Sequence, residues 1–417
     1  MISTKSLRSV ATACIAAISL SIHSQPSMIH LGIDGATEKG KPAPVTVTWC
    51  SEKGPESQYV IFGTSPDPSK EVKAAETVTD CGSVYKVKLA RLKPGKKYYY
   101  KCGSDATGWS QVYSFSSEPR NGSFRVAVIG DTQDNTNNEN FVKTAAIVSA
   151  VKEYYPAITL HMGDMVNDGS DDVSWKEFLN VSQELNAVSP LMPVLGNHDI
   201  NNEKGENSQE PFETFHDLFN LPGDEVNYSF TYGKVRFIGV FSGYAQGAEP
   251  LGSVKFKPGS PEYIWLENEL SKAENDRGLD WIIVWMHYPV NSFGWSNIKA
   301  WKDNILPLLE RHRVDLCLAG HRHVYERHLQ MKDGRIAKKN PSNSLSADDG
   351  TVFITNGTAG GNPTGPGGKE IPTIAFTPEK SMYSYAIMDI NPSSLKYQVF
   401  DADKNPVDSF TLYKQPR

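Results

Sequence analysis

The sequence predicts an α/β catalytic half preceded by an all-β sandwich, and three observations carry that reading. Residues 26 to 120 fall into short alternating strands separated by turn signals. A polar, turn-rich joint, Ser117-Glu-Pro-Arg-Asn-Gly-Ser123, ends that texture. Beyond it, apolar runs alternate with helical segments, the pattern of a mostly buried sheet with helices on its faces. At 417 residues the chain is too long for one compact core, so domains at 26–120 and 123–417 are expected after a leader at 1–24. Hydrophobic and charged contents of 39% and 22% are ordinary globular values.

The leader has Lys5 and Arg8 as its positive region, an apolar stretch from Val10 to Ile22, and Ser21 and Ser24 as cleavage points. That stretch is well short of the roughly 20 residues a spanning helix needs. The expectation is a secreted, periplasmic or extracellular protein with no membrane attachment once the leader is cleaved. Export permits disulfides. Besides Cys14, the chain has Cys50, Cys81, Cys102 and Cys317, so the first domain has room for one bridge whose pairing is open. Cys317 lies in an apolar strand and reads as a small buried hydrophobe. Sequons stand at Asn121, Asn180, Asn227 and Asn356.

In the sandwich, Val45-Thr-Val-Thr-Trp49 and Tyr85-Lys-Val-Lys-Leu89 alternate, and Tyr98 to Tyr100 precede Cys102. Helices are expected over Asn138–Tyr154, Trp175–Leu185 and Tyr263–Glu274. Strands return at Thr351–Thr355, Tyr383–Ile390 and Leu395–Phe400. Two loops rich in Gly, Pro or polar residues, Thr358–Gly368 and Asn201–Pro211, interrupt this half, and Ala337–Gly350 reads as a further polar loop. The formal net charge of −6 becomes more negative when Lys5 and Arg8 leave with the leader, since residues 1–24 hold no acid. A mildly acidic surface without a dense Lys/Arg cluster argues against a nucleic-acid partner. It does not exclude a small anion held by a local positive centre.

Five apolar runs of the second half each end in a turn carrying metal-type side chains. Val126–Ile129 leads to Asp131 and Gln133, Ala157–Leu160 to Asp164, and Pro190–Val194 to Asn197, His198 and Asp199. Trp281–Val284 leads to His287, and Val314–Leu318 to His321, Arg322 and His323. Binding residues of α/β sheets gather at the carboxyl ends of strands, which places these side chains around one pocket. Carboxylate, amide oxygen and imidazole without thiolate suit iron, zinc, manganese or similar ions rather than a cysteine-bound structural zinc. Two ions need a shared ligand, and a carboxylate has two oxygens to bridge them. A shared water then becomes hydroxide near neutral pH and can attack phosphorus in line.

On these five motifs, spanning about 124 to 330, the second half resembles the calcineurin-like metallophosphoesterase superfamily. The pairing with a β-sandwich resembles the purple acid phosphatases. The run Leu92-Lys-Pro-Gly-Lys-Lys-Tyr-Tyr-Tyr100 resembles the corner of fibronectin type III domains, where a tyrosine closes back on the preceding turn. The resemblance implies two facing mixed sheets flanked by helices and a two-metal site. Asp131, Asp164 and His323 would hold the first ion, Asp164 would bridge, and Asn197, His287 and His321 would hold the second. His198 would stabilise the attacked phosphate or protonate the leaving group.

Two positions depart from the pattern. Purple acid phosphatases have a tyrosine where this chain has Asn167, and many superfamily members have a histidine where it has Gln133. Gln133 then ligates weakly, bonds a metal-bound water or does nothing. Asn167 is a candidate metal ligand, supports the ligands from behind, or orients His198. Weaker candidates are His161, a strand residue facing the layer or a support of the site, and Arg327, expected to pair with Glu326 or another acid. Tyr288, Phe293 and Trp295 wall a pocket or pack a loop. The expected function is hydrolysis of a small phosphomonoester, acid phosphatase-like. The alternatives are a phosphodiesterase or nucleotide hydrolase of the same superfamily, and a binding protein with a vestigial site.

Overall fold

The computed structural model describes residues 25–35, 41–51, 57–79, 82–120, 122–134, 141–200, 212–243, 256–292, 299–339, 341–365 and 371–414. The leader, Cys81, the Asn121 sequon, the Asn201–Pro211 loop, Phe293 and Trp295 lie outside them.

The first part of the chain forms two antiparallel sheets. One runs in the order Ser27–Ile33, Val45–Ser51, Gly82–Leu89, Ala75–Thr79. The other runs Lys70–Lys73, Tyr59–Gly63, Lys97–Ser104, Gly108–Trp109, with Tyr113–Ser116 also on Lys97–Ser104. Between them Val47, Trp49, Val60, Tyr85, Tyr100 and Phe115 form a core, with Trp49 stacked on Tyr85. Tyr98 Oη accepts the Lys93 N–H at 2.8 Å, closing the corner.

Strand Val45–Ser51, whose alternation predicts one wet face, is buried on both. The outer face of its sheet leans on the rest of the chain, so Met28, Ile33, Cys50 and Val84 join the large second core. This also settles the described thiols. Cys50 faces that core and Cys102 the sandwich interior, and Cys50, Cys102 and Cys317 are all free and buried. Burial pushes the Cys50 and Cys102 thiols up to about 12. The two cysteines sit in opposite sheets of the sandwich, one facing into it and the other away from it, so they do not bridge.

The second part holds two seven-stranded mixed sheets. In the first, Phe124–Ile129, Ile158–His161 and Leu191–Pro193 are parallel, Ser384–Asn391, Ser394–Asp401 and Pro406–Tyr413 continue it in antiparallel pairs, and Ser344–Ser346 ends it parallel to Pro406–Tyr413. In the second, Val235–Val240, Trp281–Met286, Leu316–Ala319 and Val352–Asn356 are parallel, with Tyr228–Tyr232 at one side and Tyr325–His328 and Ile374–Phe376 at the other. The period of two in a strand explains the layering. Val126 and Val128 face the inter-sheet core with Ile283, Trp285, Leu316 and Leu318. Ala127 and Ile129 face outward onto Ile147 and Val151 of helix Val142–Lys152. On the far side Ile282 and Val284 meet Leu266 and Leu270 of helix Pro261–Asn275 and Ile305 and Leu309 of helix Lys299–Arg311. This is the α/β architecture of facing mixed sheets that the family resemblance implies.

Two of the expected helices begin earlier than apolar periodicity alone suggests, because caps set their starts. Asp171 accepts the Val173 N–H and opens helix Asp172–Asn186, and Ser260 with Pro261 opens the next. Asn356 is buried, which removes that sequon as a glycan acceptor.

Candidate metal centre

The parallel strands end at one edge, and five of these ends supply the candidate residues. Asp131, Asp164, His287 and Gln133 are buried, whereas Asn197, His198, His321 and His323 are half-buried and open the cluster to solvent. Asn197 Oδ1 lies 3.0 Å from His287 Nε2 and 2.9 Å from His321 Nδ1. His287 Nε2 lies 3.1 Å from both His321 Nδ1 and Asp164 Oδ2. Separations of about 3 Å are those kept by ligands that share one ion at bond lengths of roughly 2.1 Å. On the other side of Asp164, Asp131 Oδ1 stands 3.5 Å from His323 Nε2. All six residues that the motifs single out as ligands are therefore brought together.

Backbone carbonyls fix the imidazoles. A carbonyl only accepts, so His287 Nδ1 carries the proton it gives to Met162 O at 2.8 Å, and Nε2 is turned to the cluster. His323 Nδ1 donates likewise to Asn362 O at 2.9 Å, and His198 Nδ1 to Asn167 O at 2.8 Å. Asn167 thus orients His198 through its main chain, while its own side chain is exposed. Tyr288 is buried and its ring packs on His321, with centroids 4.2 Å apart. His161 supports the site from behind: its Nε2 pairs with Thr132 Oγ1 at 2.9 Å, and its Nδ1 accepts the Gly163 N–H. Burial drives its pKa down to about 3, so it is neutral. Arg327 pairs with Asp408 at 2.7 Å rather than with Glu326.

The cluster calls for positive charge. Burial alone would lower the pKa of His287, yet Asp164 and Asp131 raise it to about 9. Asp164 is held well below the ordinary carboxylate range, its burial outweighed by His287. His321 is pushed well down by burial and by His287. Asp131 Oδ1 is buried without a hydrogen-bond partner. Lone pairs from Asn197, His287, His321 and Asp164 converge within 2.9–3.1 Å, which is repulsive unless a cation or protons lie among them. The donor set therefore fits bound metal ions, and Asp164, His287 and His321 alone can share one.

Two supports receive no role from the motifs, although the first, Asp199, stands within one of them. Asp199 sits under the site and accepts backbone N–H groups from Asp164, Met165, Val166 and Gly196. Burial and the Asp164 charge push it up to about 7 against those bonds. The turn it clamps demands Gly196, where a Cβ would stand 2.1 Å from Asp164 Oδ1. The second support is the start of the Thr358–Gly368 loop. Gly361 N–H donates to Asp131 O at 2.7 Å and Asn362 O holds His323, tying together the first and last strand ends of the site. The adjacent Gly360-Gly361 pair is the only hint of this in the sequence.

Facing mixed sheets with this donor set at their edge define a metal-dependent phosphoester hydrolase. The family comparisons agree. The calcineurin-like phosphoesterase model matches residues 124–325, and the purple acid phosphatase N-terminal domain model matches residues 26–117. The chain belongs to the calcineurin-like phosphoesterases, in their purple acid phosphatase branch. It is 26% identical over 346 residues to probable purple acid phosphatase 20 of Arabidopsis thaliana, covering 78% of this chain and 74% of that one. It is 27% identical over 365 residues to human (Homo sapiens) acid phosphatase type 7, covering 80% and 78%. The structure of a purple acid phosphatase from yellow lupin (Lupinus luteus) seeds superposes with a TM-score of 0.75 at 20% identity, over 94% of this chain and 75% of that one.

Proposed function

We propose that this chain is an exported phosphomonoesterase with a dinuclear centre. Asp131, Asp164 and His323 would hold one ion, and Asp164, Asn197, His287 and His321 the other, with Asp164 between them. Iron, zinc, manganese or a similar ion fits these donors. The observation that carries the reading is the convergence of four donor atoms, each within 2.9–3.1 Å of a neighbour in the set, at the ends of four different strands. When bound, the ions supply Lewis acidity that draws charge from the phosphoryl oxygens and makes the attacking water a nucleophile. The protein's own part is positional. Asp164 Oδ1 is fixed by the His198 N–H at 2.9 Å, so the carboxylate and the His198 main chain are set together. With Nδ1 committed to Asn167 O, His198 offers Nε2 to the phosphate or the departing oxygen.

The domain division is 26–120 and 123–417, with a cleaved leader at 1–24 delivering the protein outside the cytoplasm. No helix among the described residues is long and apolar enough to cross a membrane. The substrate is a small phosphorylated molecule, and the acidic surface disfavours nucleic acid. The test compares hydrolysis of p-nitrophenyl phosphate and bis-p-nitrophenyl phosphate by the purified chain with added divalent ions. The monoester should be preferred, and His198→Ala should lower its kcat by about 100-fold or more without moving the melting temperature. Preference for the diester, or an unaffected His198 variant, overturns the assignment.

A further inference from the structure

The two candidate ion positions differ in what surrounds them, and the difference lies in Gln133. Its side chain is buried. Its amide Nε2 points at Asp164 Oδ2, the oxygen shared with the second position, at 3.2 Å, and at His323 Nε2, which belongs to the first position alone, at 3.4 Å. Its Oε1 is buried without a hydrogen-bond partner. An amide NH2 carries partial positive charge and no lone pair, so it opposes a cation where it points. Turning the carbonyl inward would serve a cation, but would give up the bond to Asp164 and bury the NH2 where Oε1 now lies. On the other side no such group intrudes among the described residues. Asn197 presents its oxygen there, together with His287, His321 and Asp164.

We propose that Gln133 makes the dinuclear centre unequal. The Asn197–His287–His321 position binds its ion tightly, and the Asp131–His323 position binds weakly and exchangeably because the Gln133 amide must turn over to admit the ion. This rests on the two-ion reading above. The donor count points the same way, since the first position has Asp131, His323 and shared Asp164, and the second has four donors already gathered. The chain then works as a one-ion resting protein that takes up its second ion from solution.

The test is calorimetric titration of the full chelator-stripped chain with Zn²⁺. Two classes of one ion each are expected, with dissociation constants at least 100-fold apart. Asn197→Ala should remove the tight class and leave the weak one. Gln133→His should tighten the weak class at least tenfold and leave the tight class unchanged. Gln133→Glu, which keeps the shape and replaces NH2 with oxygen, should do the same, and serves if the histidine variant misfolds. Far-UV circular dichroism checks folding of each variant. Two wild-type classes within tenfold of each other overturn this inference alone. Indifference of the weak class to both Gln133 variants overturns it too. No stoichiometric binding by the wild type overturns the two-ion reading and this inference together.

Discussion

At the scale of the residue, the site carries backbone cost as well as charge. Asp131, Asp164 and His321 adopt left-handed φ of 54°, 54° and 65°. Such positions cost on the order of 1–3 kcal/mol each and persist only where the surroundings force them. Asn tolerates that conformation as well as Asp and removes one buried negative charge. Asp131→Asn, melted in excess chelator, should therefore gain about 2–4 °C over the wild type while losing hydrolysis. A melting temperature that falls would show that the carboxylate is stabilising by itself. Asn167 has its side chain in solvent, and no tyrosine takes its place among the candidate ligands. The purified protein loaded with iron should accordingly lack a visible tyrosinate charge-transfer band, which an absorption spectrum checks. The candidate ligands were legible because each follows an apolar run with a turn residue beside it. Gln133 was legible only as a departure, since no sequence rule says which end of an amide faces an ion.

Elements explain why the motifs converge. Parallel strands paired in register bring their carboxyl ends level, so Ile129, His161 and Pro193 end one half of the site and Met286 and Ala319 the other. Uninterrupted apolar runs announced these buried strands, and helix Pro261–Asn275 was legible from Ile264, Leu266 and Leu270. The support given by residues 357–362 was not legible, because its contacts are main-chain bonds to residues far away in sequence. A Cβ at position 361 would stand 2.5 Å from His323 Cε1. Gly361→Ala should push the imidazole off its bond to Asn362 O and lower kcat/KM by about 10- to 100-fold, with loss of bound metal. Unchanged metal content and turnover would show that the loop merely passes by.

Across the whole molecule, the sandwich and the two-sheet half share one buried seam. His30 is enclosed there, with its ring nitrogens 2.7 Å from Met28 O and 2.9 Å from Leu218 O. Burial lowers its pKa from 6.5 to about 4, although both carbonyls favour the doubly protonated ring. A histidine held neutral contributes stability that is complete above pH 6.5 and is lost as the pH falls toward 4, by up to about 3 kcal/mol. Denaturant unfolding of His30→Gln should show a flatter decline between those pH values than the wild type does. Equal slopes would place the acid sensitivity elsewhere. The sandwich was legible as strands, but its lean on the second half was not, because Thr46 and Thr48 look like wet-face residues until a neighbour covers them. Lys86 Nζ donates to the carbonyls of His216 and Phe219, and Tyr100 Oη to Ala187 O. The leading half is thus a fitted lid for carbonyls that the trailing half leaves open, and a graft from a cousin lacking Lys86 and Tyr100 would leave them bare. Shuffling experiments across this joint should therefore carry those side chains along as one cassette.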